Sequence, residues 1–311
     1  MDITSYAEVI EKRNLKVEGI VLFKGGERVA ERRWVPEKPR PVYSVSKSFT
    51  AIAAGLAIAE GKLSLMDRVA DAFPGPSSPF CGTSQKSPLS GPKPCKLPAA
   101  PSPRLASLTL EHLLTMSRGH GGFSRPRTVA DALEQTLDFD PGTRFVYDNG
   151  STLLASAMIT RATGQKVRDY LLDRLFRPLG IPDPVWKESG DGCTLGATGL
   201  ELTTGDLAAF GQLLLQRGSW KGKQLVPAAW IDGASRPHIS TKETGKPDYD
   251  VGYGYGFWAC RHGAYRADGK NGQFVIVFPR QEAVAAITSD EPDMESILAA
   301  VWEYILPQLD S

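Results

Sequence analysis

The runs that read as β-strands lie at the two ends of this 311-residue chain, and the long stretch between them reads as helix. Residues 17–23 and 28–34 are apolar and β-branched runs around Lys24-Gly25-Gly26-Glu27, a hairpin signal. Residues 253–260, 264–267, 273–278 and 283–288 read as strands of a meander. Helical patterns occupy residues 3–13, 51–59, 109–116, 128–137, 151–163, 167–175, 203–217, 227–234 and 294–306. Strands at both ends with helices between them predict an α/β (α+β) fold. One antiparallel sheet is built from both termini and flanked by helices, with a mostly helical lobe inserted in the middle. The expected division is a sheet domain from residues 1–74 and 235–311, and a mainly helical domain at 108–234. Residues 75–107, rich in Pro, Ser and Gly, are expected as an irregular surface insertion, with a lid over the site as the alternative reading.

Composition removes several function classes. Hydrophobic residues make up 41% and charged residues 23%, an ordinary globular balance. A net charge of +1 gives no basic surface for nucleic acid or an anionic membrane. The first residues are polar and acidic, and no apolar run reaches about 18 residues, so neither a secretory signal nor a membrane span is expected, and the cytoplasm is the expected compartment. Cys81, Cys95, Cys193 and Cys260 show no C-x-x-C spacing and read as free thiols, although Cys81 and Cys95 could pair in an oxidising setting. His112, His120, His238 and His262 lack zinc-binding spacing, so no metal is expected. There is no Walker loop and no G-x-S-x-G elbow.

What remains is a serine and a lysine. Ser44-Val45-Ser46-Lys47 stands at the mouth of an apolar helix that Gly61 ends. Residues three apart share a helical face, so Lys47 comes alongside Ser44. A serine hydroxyl needs an adjacent base, and a lysine serves when burial lowers its pKa. The helix N-terminus adds backbone N–H groups suited to a developing oxyanion. Ser90-Gly91-Pro92-Lys93 has the same spacing but lies among prolines, where no helix is expected. Acyl transfer also needs a proton for the leaving group and two oxyanion donors. Tyr147-Asp148-Asn149 is the only Tyr-x-Asn in the chain: the phenol can shuttle the proton and the amide can orient Lys47. The second donor is expected from a glycine-bearing strand, and Ala267-Asp268-Gly269-Lys270 fits. Tyr253, Tyr255 and Trp258 read mainly as packing residues of a strand. His120 reads equally well as a cleft or a surface histidine.

With these motifs in order, the chain resembles the serine β-lactamase and penicillin-binding-protein superfamily, specifically class C-like serine hydrolases. The intervening Leu113-Leu114-Thr115-Met116-Ser117, Pro141-Gly142, Leu175-Phe176-Arg177-Pro178-Leu179-Gly180-Ile181 and Leu202-Thr203-Thr204-Gly205-Asp206-Leu207-Ala208 carry the likeness across nearly everything except residues 75–107. The resemblance implies an acyl-enzyme on Ser44, Lys47 as base, Tyr147 as proton relay and Asn149 as its helper. It also implies an oxyanion hole from the N–H groups of Ser44 and Lys270, a site edge at Asp268 and Gly269, and no cofactor. The third motif departs from the family: Ala267 and Asp268 stand where Lys-Thr-Gly or His-x-Gly is usual. A carboxylate there would repel an anion, so a small ester, amide or peptide-like substrate is expected rather than a penicillin. Asp268 reads either as a subsite for a substrate amine or as a solvated turn carboxylate. A true β-lactamase or DD-peptidase and a non-catalytic sensor module are the competing readings.

Overall fold

The computed structural model describes residues 1–73 and 102–310. The hairpin is formed by β1 (Val17–Lys24) and β2 (Glu27–Arg33). The C-terminal region supplies β3 (Trp258–Ala259), β4 (Tyr265–Gly269), β5 (Gln273–Phe278) and β6 (Ala283–Ser289). These six strands form one antiparallel sheet in the order β2-β1-β6-β5-β4-β3. Its centre is the pairing of the first strand with the last, Ile20 opposite Ile287 and Leu22 opposite Ala285. β5 and β6 are buried along their whole length, which explains their continuous rather than alternating apolar sequence: both faces of the sheet are covered.

The helices that matter for packing the sheet and the site are α1 (Thr4–Lys12), α2 (Ser46–Ala59), α3 (Asn149–Thr163), α4 (Thr204–Leu215) and α5 (Met294–Ala300). On one face of the sheet, α1 and α5 cover Ile20, Phe274 and Ile276. On the other, α2 and α4 pack against Val21, Val275 and Val277 in a cluster that continues into α3. Phe49 of α2 stacks on Phe210 of α4 at 4.0 Å and on Phe176 at 5.6 Å. α2 is buried from Ser46 to Ala57, as its all-round apolar sequence requires. Gly55, a weak helix former, is needed for packing: a Cβ there would lie 2.3 Å from the Trp230 ring. Thr109, Thr128 and Thr203 each cap a helix by accepting the N–H of a residue three further on. Among the described residues no helix is long and apolar enough to cross a membrane.

Three expectations are corrected. Of residues 253–260 only Trp258–Ala259 is strand. The preceding glycines bring the backbone against helix ends instead of into a ladder, and a Cβ on Gly254 would lie 2.1 Å from the Ala234 carbonyl oxygen. Within the segment expected to be irregular, Pro103–Ser107 is a short helix with Pro103 in its first turn and the Ser102 hydroxyl as its cap. The rest of that segment, with Ser90, Lys93, Cys81 and Cys95, lies outside the described residues. The terminal helical stretch breaks from α5 into a wider turn at Val301–Ile305 before Leu306–Leu309.

Candidate active site

Ser44 sits in a 3-10 turn, Tyr43–Val45, that runs directly into α2. The preceding Tyr43 takes a left-handed conformation, φ 47°, which is uncommon for a bulky residue. Ser44 lines a cavity of about 840 Å³. One helical turn on, the Lys47 side chain is 2% exposed and its Nζ donates to Ser44 Oγ at 2.9 Å. The same nitrogen donates to Asn149 Oδ1 at 2.7 Å and to the Ala197 carbonyl at 3.0 Å. Burial holds the Lys47 ammonium far below its ordinary value, at about 7, against the opposing pull of Asp148 and Asp268.

Tyr147 hydrogen-bonds Ser44, and its ring lies under Lys47 Nζ at 4.8 Å. Burial raises its phenol well above the ordinary value, so it stays protonated at neutral pH. Trp258 stacks on its ring at 5.6 Å, and Phe145 and Tyr253 close the cluster behind it. Asp148 caps α3, accepting the Ser151 N–H at 2.9 Å, and so sets Tyr147 just outside and Asn149 just inside the helix start. The Asp148 carboxylate is itself buried, with Arg118 Nε at 2.6 Å and the Ser124 hydroxyl donating to it. Burial alone would raise its pKa, but Arg118 beside it holds it below the usual carboxylate range.

β4 meets the nucleophile turn edge-on. A Cβ on Gly269 would lie 2.3 Å from the Val42 carbonyl oxygen, so only glycine allows the end of this strand to approach residues 42–44. Lys270 and Asp268 both line the cavity. Asp268 is not the solvated turn carboxylate allowed for above: it is 9% exposed, within a strand, and its Oδ2 accepts from Arg266 Nε at 2.9 Å. Arg266 is fully buried, under the Tyr249 ring at 4.4 Å, and donates to the Asp248 carbonyl at 2.7 Å. The repulsion of anions expected from Asp268 is therefore offset by a guanidinium two residues away. Trp258 lines the cavity, whereas Tyr255 points elsewhere and donates to Glu111 at 2.7 Å. His120 is held through its ring to the Thr136 carbonyl and does not line the cavity.

The geometry thus gathers Ser44, Tyr147, Asn149, Asp268 and Lys270 on one cavity, with Lys47 bonded to Ser44 and Gly269 against Val42 just outside its lining. Sequence reasoning missed Arg118, Arg266 and the Ala197 carbonyl. It also missed the capping role of Asp148, which did leave a signal, as an Asp directly before a helical run.

A family model described as Beta-lactamase matches residues 15–309. The chain belongs to the beta-lactamase family. The lovastatin esterase of Penicillium rubens is 28% identical to the chain over 200 residues, 56% of this chain and 46% of the esterase. The chain therefore aligns with about half the length of that relative. Among solved structures, a protein described as a 6-aminohexanoate-dimer hydrolase from Bacillus anthracis superposes with a TM-score of 0.74 at 19% identity, covering 98% of this chain and 82% of that one. The octameric penicillin-binding protein homologue from Pyrococcus abyssi gives 0.73 at 19% identity, covering 99% and 78%. At such identities these likenesses show the shared fold of the beta-lactamase family, with its antiparallel sheet flanked by helices.

Proposed function

We propose that this beta-lactamase family member is a serine hydrolase that cleaves a small ester or amide through an acyl-enzyme on Ser44, in the manner of class C-like relatives. The observation that carries this reading is the 2.9 Å hydrogen bond from a buried Lys47, with a pKa near 7, to the Ser44 hydroxyl. In this mechanism Ser44 Oγ attacks the carbonyl carbon while its proton passes to neutral Lys47 Nζ. The backbone N–H groups of Ser44 and Lys270 hold the tetrahedral oxyanion. The protonated Tyr147 hydroxyl gives its proton to the leaving oxygen or nitrogen, the C–O or C–N bond breaks, and the proton on Lys47 replenishes the phenol. Water then attacks the Ser44 ester by the same groups in reverse, releasing the acid and restoring the serine. Asn149 keeps Lys47 aimed at Ser44 throughout.

The esterase relative supports an ester or amide substrate over a penicillin, as does the absence of Lys or His at Ala267. Hydrolysis of p-nitrophenyl butyrate tests the reading. Wild type is expected to turn over, and Ser44→Ala to lose about a thousandfold or more in kcat/KM. Undiminished cleavage by Ser44→Ala would overturn it. Nitrocefin hydrolysis at about 10 per second or faster would instead favour a true β-lactamase. A stable acyl-protein without turnover would favour a sensor.

A further inference from the structure

Charge around the cavity is one-sided. Its two lining carboxylates are both compensated: Asp268 by Arg266 at 2.9 Å, and Glu188 by Lys166 at 2.6 Å. Three lining cations, Arg125, Arg127 and Lys270, are exposed, and among the described residues their side chains form no ion pair or hydrogen bond. Arg125 lies over the ring of Phe123 at 5.1 Å, and Phe123 is itself 53% exposed on the cavity wall. Arg127 feels the field of Asp131, whose carboxylate already caps the next helix by accepting the Arg127 and Thr128 N–H groups. Residues 74–101, outside the described part, contain three lysines and no Asp or Glu, so their side chains supply no counter-ion. The apolar part of the wall includes Phe123, Leu153, Leu195, Trp258 and Met294, and Ser189, Thr198 and Tyr249 add uncharged polar groups.

We propose that the substrate is an anionic ester or amide: an apolar body joined to the scissile carbonyl, ending in a carboxylate that the Arg125 and Arg127 edge of the cavity receives. This rests on the hydrolase reading and adds the substrate's charge. It reverses the expectation drawn from Asp268 alone, because the carboxylate expected to repel anions is paired with Arg266, while Arg125, Arg127 and Lys270 form no ion pair among the described residues. A single exposed guanidinium adds little per pair and is screened by salt. Two guanidinium groups and the Lys270 ammonium acting together are expected to give a preference of about tenfold, since 1.4 kcal/mol is a factor of ten.

The test compares two esters of equal chain length, p-nitrophenyl hexanoate and mono-p-nitrophenyl adipate, as a ratio of kcat/KM within each preparation, so that any loss of folded protein cancels. Wild type is expected to favour the adipate about tenfold at low salt, with the ratio shrinking as salt rises. Arg125→Gln/Arg127→Gln is expected to bring the ratio near one, and Arg125→Lys/Arg127→Lys to keep most of it. A wild-type ratio of one or less, or a ratio unchanged in the Gln variant, would overturn the proposal. Calorimetric binding of monomethyl adipate and methyl hexanoate to Ser44→Ala protein gives a second readout without turnover. If neither p-nitrophenyl ester is cleaved by wild type, the hydrolase reading fails. The calorimetric preference, present or absent, then decides the anion site by itself.

Discussion

Lys47 bears two opposing demands. Among the described residues its nitrogen has three oxygen partners, Ser44, Asn149 and the Ala197 carbonyl, and no carboxylate touches it. A lysine so enclosed sheds its proton near pH 7. The base must be neutral to accept from Ser44, so kcat/KM is expected to rise with pH through about 7 and level off above it. A profile flat from pH 5 to 9 would contradict this. The same shift has a stability cost. The unfolded chain keeps this proton up to about pH 10.4, whereas the folded chain releases it near 7. Between those values the unfolded state binds more protons, so this group's destabilising effect grows as pH falls from 10 to 7. Lys47→Met is therefore expected to be inactive but more stable at pH 7, by about 1–3 kcal/mol, the usual scale for a buried polar group. The gain is expected to shrink by pH 10, as thermal melts at the two pH values would show. Ser44, Lys47, Tyr147 and Asn149 were readable as candidates from spacing and helix position together with the order of motifs that resembles the family, and the structure brings them within hydrogen-bond reach of one another. Arg266 was not readable: alternation along a strand puts residues 266 and 268 on one face, but nothing local shows that this face is buried against Asp248 and Tyr249, where the guanidinium and Asp268 pair.

The start of α3 is the element on which the site depends. Asp148 both caps it and is locked by Arg118, so the flanking Tyr147 and Asn149 have their directions set by one buried ion pair. Removing Arg118 leaves a buried carboxylate without its partner, typically a loss of about 3–5 kcal/mol. Arg118→Met is thus expected to lower the melting temperature markedly and to reduce kcat more than it raises KM; an unchanged melting temperature would refute the structural role of the pair. Helical patterning made the helices that follow Thr109, Thr128 and Thr203 readable within a few residues of their ends, and each threonine caps its helix. The stretch before β3 was misread because aromatic residues spaced by glycine have the composition of a strand. Their glycines serve close packing against helix ends instead, and composition does not distinguish the two uses.

For the whole molecule, the sheet's dependence on both chain ends was readable from the placement of apolar runs, and the β1–β6 pairing bears it out. The order of the remaining strands was not, because register depends on long-range pairing that no local pattern states. Deleting residues 1–34 would expose β6, a fully buried strand, as a bare apolar edge. That variant is expected to aggregate and show no cooperative melt, and a soluble, cooperatively melting product on size-exclusion would contradict the architecture's role. The chemistry proposed for the molecule converges on a single oxygen. Treatment with a fluorophosphonate probe at pH 8, followed by peptide mass mapping, tests it most directly: the account expects one adduct, on Ser44, absent in Ser44→Ala. No adduct on wild type, or labelling that persists elsewhere when Ser44 is replaced, would contradict it.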